Sequence, residues 1–147
     1  MRLHILSDLH LEHASFEMPS IDSDVLLLAG DIHAPGRRAM TWAASDSVAK
    51  KRPVVFVAGN HEFYDSRYQV ERSTMEHAAQ SMGVHYLDHA TVVIDGVRFI
   101  GCTLWTDFGV PIHTNSGPLR DVSMGMGDLI SDVPQQPVIG SIATFRK

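Results

Sequence analysis

Three short apolar runs punctuate the first sixty residues. They cover residues 3–7, 25–29 and 54–58, and each stops at a polar or glycine-containing turn. None has helical periodicity, and the third contains only β-branched, aromatic and small residues, so each predicts a short strand. Continuous apolar runs suit parallel strands buried on both faces. Between the second and third run, Met40, Ala43, Ala44 and Val48 form a helical stripe within residues 36–52, and Pro53 ends it. The unit reads as strand–helix–strand, which makes the second and third strands parallel neighbours. A further helix is expected over residues 67–82, closed by Gly83 as a C-cap glycine.

The pattern then changes. Residues 91–94 and 97–102 flank Asp95-Gly96, a dipeptide that favours the primed hairpin turns. Residues 104–127, rich in Gly, Pro, Asp and Ser, read as a long loop with one short helix. The tail from about residue 134 carries no assignable role. No repeat, low-complexity tract or linker divides the chain, so residues 1–147 are expected to form a single α/β domain.

Composition narrows the classes. The formal net charge of −5 disfavours a nucleic-acid backbone or an anionic membrane as partner. The single cysteine, Cys102, excludes an internal disulfide and a cysteine-based zinc site, and its apolar surroundings suggest a small core residue. The first eight residues turn polar too early for a signal sequence, and no apolar run approaches the ~18 residues of a membrane span. The expected compartment is the cytoplasm. Nine histidines are many for 147 residues, and histidine is both the commonest metal ligand and the usual acid–base group.

The chemistry gathers at the strand ends. Asp8-Leu9-His10 follows the first strand, Gly30-Asp31 the second and Gly59-Asn60-His61-Glu62 the third. Open α/β sheets hold ligands along that edge, so six side chains of metal-ligand type are expected to converge. Asp8 and His10, at i and i+2 of an extended chain, would point to one side and grip one ion from two directions. Asp31 follows a glycine that lets the backbone turn sharply, and its two oxygens suit it to bridge two ions. Asn60 offers a neutral oxygen, and His61 beside it suits a proton donor or anion stabiliser.

These residues resemble the calcineurin-like metallophosphoesterase family. The longer segments ILSDLHLE, DVLLLAGDI, VVFVAGNHEFY and IGCTLWTDF are similar to one bacterial branch of it, and they span about residues 1–108. Three motifs in order, each after a predicted strand, carry the resemblance; one alone would not. The resemblance implies a β-sandwich of two sheets flanked by helices. It implies a phosphomonoester or phosphodiester as substrate and a dinuclear centre of two divalent ions, manganese, iron or zinc. Asp8 and His10 would bind the first ion, Asp31 would bridge, Asn60 would bind the second, and His61 would act on the leaving group.

The chain departs from the family in its second half. The family's later histidine and its Gly-His-x-His motif have no counterpart, and the last histidine is His113. The expectation is therefore a domain incomplete at its C-terminus, with a weakened second metal site. Two other functions stand against the enzyme: an impaired fragment or pseudoenzyme that binds one metal weakly, and a nucleotide-binding module. The latter lacks a glycine-rich fingerprint and a phosphate-binding loop.

Each singled-out residue also has a plain reading. Asp8, Asp31 and Asn60 are common turn residues, and His61 would pair with Glu62 or Asp65 at the surface. His4 inside the first strand reads as a packed histidine, and His33 touches substrate or nothing. His13, His77, His85 and His89 read as surface or structural, and His113 as lining the cleft at most. Trp105 and Phe108 read as packing near the site, and Arg37 and Arg38 as a solvated helix start.

Overall fold

A computed structural model describes residues 1–105 and the backbone of residues 138–146. Strands β1 (Leu3–Leu6), β2 (Val25–Ala29), β3 (Val54–Val57) and β4 (His85–Tyr86) form a parallel sheet in the order β1-β2-β3-β4. Helices α1 (Gly36–Ala44) and α2 (Asp46–Ala49) connect β2 to β3, and α3 (Tyr68–Met82) connects a short 3-10 turn at His61–Phe63 to β4. Strands β5 (Ala90–Ile94), β6 (Val97–Trp105) and β7 (Val138–Arg146) form a second, antiparallel sheet.

Strand periodicity divides the core in two. On one face of the parallel sheet, Leu26, Leu28, Val54 and Phe56 meet Ala39, Met40 and Ala43 of α1 and Met75, Ala78 and Ala79 of α3. On the other, Val25, Leu27, Val55 and Val57 meet Phe99 of β6, with Val92, Ile94 and Val97 packed around them. The architecture is thus a mixed α/β fold, with two sheets face to face and, among the described residues, helices over the outer face of the parallel sheet. Each fully buried Val, Leu or Phe stabilises it by roughly 1.5–3 kcal/mol.

Two contacts hold the sheets together. The Thr103 hydroxyl donates to the Ala58 carbonyl at 2.7 Å in a buried position. Gly101 lets β6 come close, since a Cβ there would lie 2.6 Å from Val57 Cγ2 and 2.8 Å from Leu87 Cβ.

The expected elements form, with corrections. The helix expected over 36–52 breaks at Ser45, whose backbone is extended (ψ 146°) and whose hydroxyl donates to the Trp42 carbonyl at 2.7 Å. Such local serine bonds compete with the helical ladder. Gly83 closes α3 at φ 72°, and Asp95 and Gly96 turn the hairpin at φ 48° and 77°. Leu104 and Trp105, expected in a loop, continue β6, and the tail without a role pairs with β6 as β7. The rest of that expected loop, with Phe108 and His113, lies outside the described residues.

Cys102 is half-buried and not in the core, because alternation along β6 turns Phe99, Gly101 and Thr103 inward and leaves Cys102 on the face of Arg98, Ile100 and Leu104. No helix among the described residues is long and apolar enough to cross a membrane.

His4 is 5% exposed and its Nδ1 has no hydrogen-bond partner. Burial, then the charges of Arg52 and Lys50, hold its imidazole below the ordinary 6.5. The unfolded chain therefore takes up this proton first, so the stability His4 contributes is full above 6.5 and is lost as pH falls below it. The urea midpoint of the wild type should fall from pH 7.5 to pH 5.5, and His4→Phe should flatten that slope. Gly101→Val should lower the urea midpoint by an amount equivalent to about 1–3 kcal/mol or more, the cost of overpacking a core.

Candidate metal centre

The loops after β1, β2 and β3 are fastened to one another by their backbones. Past the end of the β1–β2 ladder, the N–H groups of Asp8, His10 and Leu11 donate to the carbonyls of Gly30, Asp31 and Ile32 at 3.0, 3.0 and 2.9 Å. Asp8, His10 and Asp31 all have left-handed backbones, with φ of 55°, 47° and 54°. That conformation is uncommon away from glycine, and such residues concentrate at functional sites. It also corrects the reason given for pairing Asp8 with His10, because the segment is not extended and the i, i+2 argument does not apply.

The loop after β3 is locked to the loop after β2 through Glu62. Its carboxylate is fully buried and accepts four backbone N–H groups: Gly59 at 2.7 Å and Asp31 at 3.0 Å on Oε2, Ile32 at 2.7 Å and His33 at 3.2 Å on Oε1. Burial pushes the carboxyl up to about 7, while the bonds from Gly59, Ile32 and His33 pull it down and the Asp31 charge raises it. Four donors suit an ionised carboxylate, which only accepts. Glu62 is therefore neither a ligand at the sheet edge nor a surface partner of His61.

Gly59 makes the approach of the two loops possible. A Cβ there would lie 2.2 Å from Asp31 Oδ1 and 2.7 Å from the Asp31 nitrogen. Asp31 Oδ1 in turn accepts the His61 N–H at 2.9 Å.

These ties bring His10, Asp31 and His61 together, with one ligand-type atom from each lying within 4.8 Å of the others. Asp8 is exposed on the adjoining turn and does not belong to this cluster. Asn60 Nδ2 donates to the Tyr64 hydroxyl at 2.6 Å, and this turns its carbonyl oxygen away from that bond. The His61 ring lies between two neighbours, with centroids 4.2 Å from His10 and 4.4 Å from Tyr64. Burial, then the Asp31 and Glu12 charges, raise the Tyr64 hydroxyl against the Asn60 bond, so it stays neutral.

Three contributors escaped the sequence reading: Glu12, Glu62 in its buried role, and Tyr64. Glu12 Oε1 lies 2.6 Å from His61 Nδ1, and Oε2 accepts the Ala34 N–H at 3.2 Å. Burial pushes the Glu12 carboxyl up, but hydrogen bonds from its own backbone, His61, Ala34 and His10 outweigh it and hold the group at about 2. The histidine-rich SDLHLEH string was the one available signal. His13, expected at the surface, is exposed, yet its Nε2 reaches within 3.8 Å of Glu12. His33 Nδ1 bonds the Ala34 carbonyl at 2.6 Å. Trp105 packs on Phe63 and Tyr68, both with centroids at 5.7 Å, beneath the loop that carries Asn60 and His61.

Imidazole and carboxylate donors at this separation fit a divalent transition ion, whose ligands stand about 2.0–2.2 Å from it. The family model of the calcineurin-like phosphoesterases matches residues 1–130. No curated protein matches the chain.

Glu62→Gln tests the clamp. The amide nitrogen would face two of the four N–H donors, and each buried donor left without an acceptor costs about 1–3 kcal/mol. The urea midpoint should fall by an amount equivalent to roughly 2–6 kcal/mol. An unchanged midpoint would mean that the two loops are held by something else.

Proposed function

The chain belongs to the calcineurin-like phosphoesterase family, and on that premise we propose that it hydrolyses a phosphomonoester or phosphodiester at a dinuclear metal centre. The observation that carries this reading is the convergence of His10, Asp31 and His61 within 4.8 Å at the ends of three parallel strands. In this reading His10 and Asp31 of the cluster, with Asp8 from the adjoining turn and Asn60 through its carbonyl oxygen, would hold two ions, Asp31 being shared between them. Two ions of manganese, iron or zinc held there would supply neutralisation of the phosphate oxygens and an acidified water.

The remaining work falls to the chain's own groups. Asp31 is held at one oxygen by the His61 N–H and along its backbone by Glu62, which fixes where its second oxygen points. His61 stands beside His10 with its Nδ1 held by Glu12; its other nitrogen faces the phosphate side and, once it has taken up a second proton, can pass that proton to the departing alkoxide. The Tyr64 ring on His61 limits rotation of the imidazole and covers it from water.

Hydrolysis of a chromogenic phosphodiester should require added manganese and should stop on chelation. Asp31→Asn keeps the shape and the acceptor for the His61 N–H but removes the bridging charge. It should lose more than the roughly 10–100-fold that loss of an outer partner costs. Equal background in wild type and Asp31→Asn, with both folded, would favour the impaired, non-catalytic reading.

A further inference from the structure

We propose that Glu12 is a positioning residue whose carboxylate fixes both His10 and His61 with the proton on Nδ1, so that both Nε2 lone pairs are free for the metal and phosphate side. The inference rests on the reading above for the use of those two nitrogens. Its geometric basis does not.

The two Nδ1 atoms are 3.2 Å apart, and a single oxygen, Glu12 Oε1, lies 2.6 Å from that of His61 and 3.4 Å from that of His10. A carboxylate only accepts, so a nitrogen 2.6 Å from it carries a proton. His61 Nδ1 is therefore the protonated nitrogen and has no lone pair to offer His10. A bare lone pair on His10 Nδ1 would face the negative charge of Glu12, which repels it, whereas a proton there is attracted to the same oxygen. In this arrangement both nitrogens face one acceptor, at 2.6 Å from His61 and 3.4 Å from His10, whereas a bare His10 Nδ1 accepting the His61 N–H across the 3.2 Å contact would put the His10 proton on Nε2. A neutral imidazole protonated at Nδ1 has its lone pair at Nε2.

Glu12 is built to hold that place. Its side chain is 16% exposed, and its second oxygen accepts the Ala34 N–H at 3.2 Å, from the loop after β2. His33 Nδ1 stands 4.0 Å from that oxygen but is bonded at 2.6 Å to the Ala34 carbonyl. His13 Nε2 is 3.8 Å from Oε1 on a side chain 72% exposed, too far for a bond and free to swing away. Of the four histidines around Glu12, His10 and His61 are thus the pair it governs. A carboxylate behind a ligand imidazole is a general device for fixing its tautomer, and its loss typically costs 10–100-fold in metal affinity or activity. Here one carboxylate would serve a ligand and an acid–base group at once.

The test is the tautomer in the metal-free protein, read by long-range proton–nitrogen spectra of the histidine-labelled full chain at about pH 8, where free imidazoles are neutral. Wild type should show His10 and His61 protonated at Nδ1. Glu12→Gln, whose amide can donate as readily as accept, should show a mixture of tautomers at both. It should also bind zinc roughly 10–100-fold more weakly and, at saturating metal, lose kcat with little change in KM. A wild-type spectrum with the proton of either His10 or His61 on Nε2 would overturn the proposal whether or not Glu12→Gln folds. Unchanged tautomers and zinc affinity in a folded Glu12→Gln would overturn it as well. Zinc binding and hydrolysis by the wild type test the site reading separately, because the metal-free spectrum involves neither.

Discussion

A buried carboxylate that satisfies four backbone N–H groups is the constraint on which the candidate site depends. Glu62 is 0% exposed, and its acceptors are used by Gly59, Asp31, Ile32 and His33. Desolvating such a charge costs several kcal/mol, and removing one partner from a buried ionic group is worse than never having had it. Each hydrogen bond to a charged group returns about 1.5–3 kcal/mol. Four together can hold a carboxylate where water cannot, and they hold the loops after β2 and β3 in one register. Asp31 and His61 are then fixed by backbone bonds before any ion arrives. The left-handed turns at Asp8, His10 and Asp31 persist because the neighbouring N–H···O ties leave the chain no alternative.

The apolar runs made the parallel strands legible, because a strand buried on both faces has a continuous hydrophobic signature. The glycine at 83 and the Asp95-Gly96 pair were legible because only a few residues tolerate positive φ. Ser45 hid its break inside a helical stripe, since a side-chain bond to Trp42 leaves no trace in periodicity. Glu62 was misread because a glutamate beside a histidine looks solvated. Its burial follows from the path of two loops that are distant in sequence, and no local pattern encodes that path. Glu12 was missed for the same reason: its partners His61 and Ala34 lie far along the chain. His10, Asp31 and His61 lie together because topology brings the strand ends to one edge. Which of them touch, and through which atoms, depends on backbone ties that spacing does not specify.

The second sheet contributes from beneath. Gly101 and Thr103 seat β6 against Val57, Leu87 and the Ala58 carbonyl, immediately before the Gly59 turn. Trp105, at the end of β6, packs on Phe63 within the 3-10 turn that follows Asn60. The strand that leads to Asn60 and His61 is thus supported on the face opposite α1 and α3, and its end cannot drift without opening the inter-sheet core. Sequence distance again conceals the link, because β6 begins more than thirty residues after that turn.

The partners chosen for the acidic groups have an electrostatic consequence. Glu62 is met by amide N–H groups, Asp31 by the His61 N–H, and Glu12 by imidazoles and the Ala34 N–H. Amide N–H groups carry no full charge, so those on Glu62, Asp31 and Glu12 stabilise a carboxylate without cancelling it. Dipoles stabilise each carboxylate individually but leave the sum of charges negative. An anionic phosphate ester would be repelled from such an edge, and a divalent cation would be drawn to it. On the proposed function, cations would bind first and phosphate second. The hydrogen bonds that position these side chains would then also make the site depend on metal before it accepts a phosphate ester.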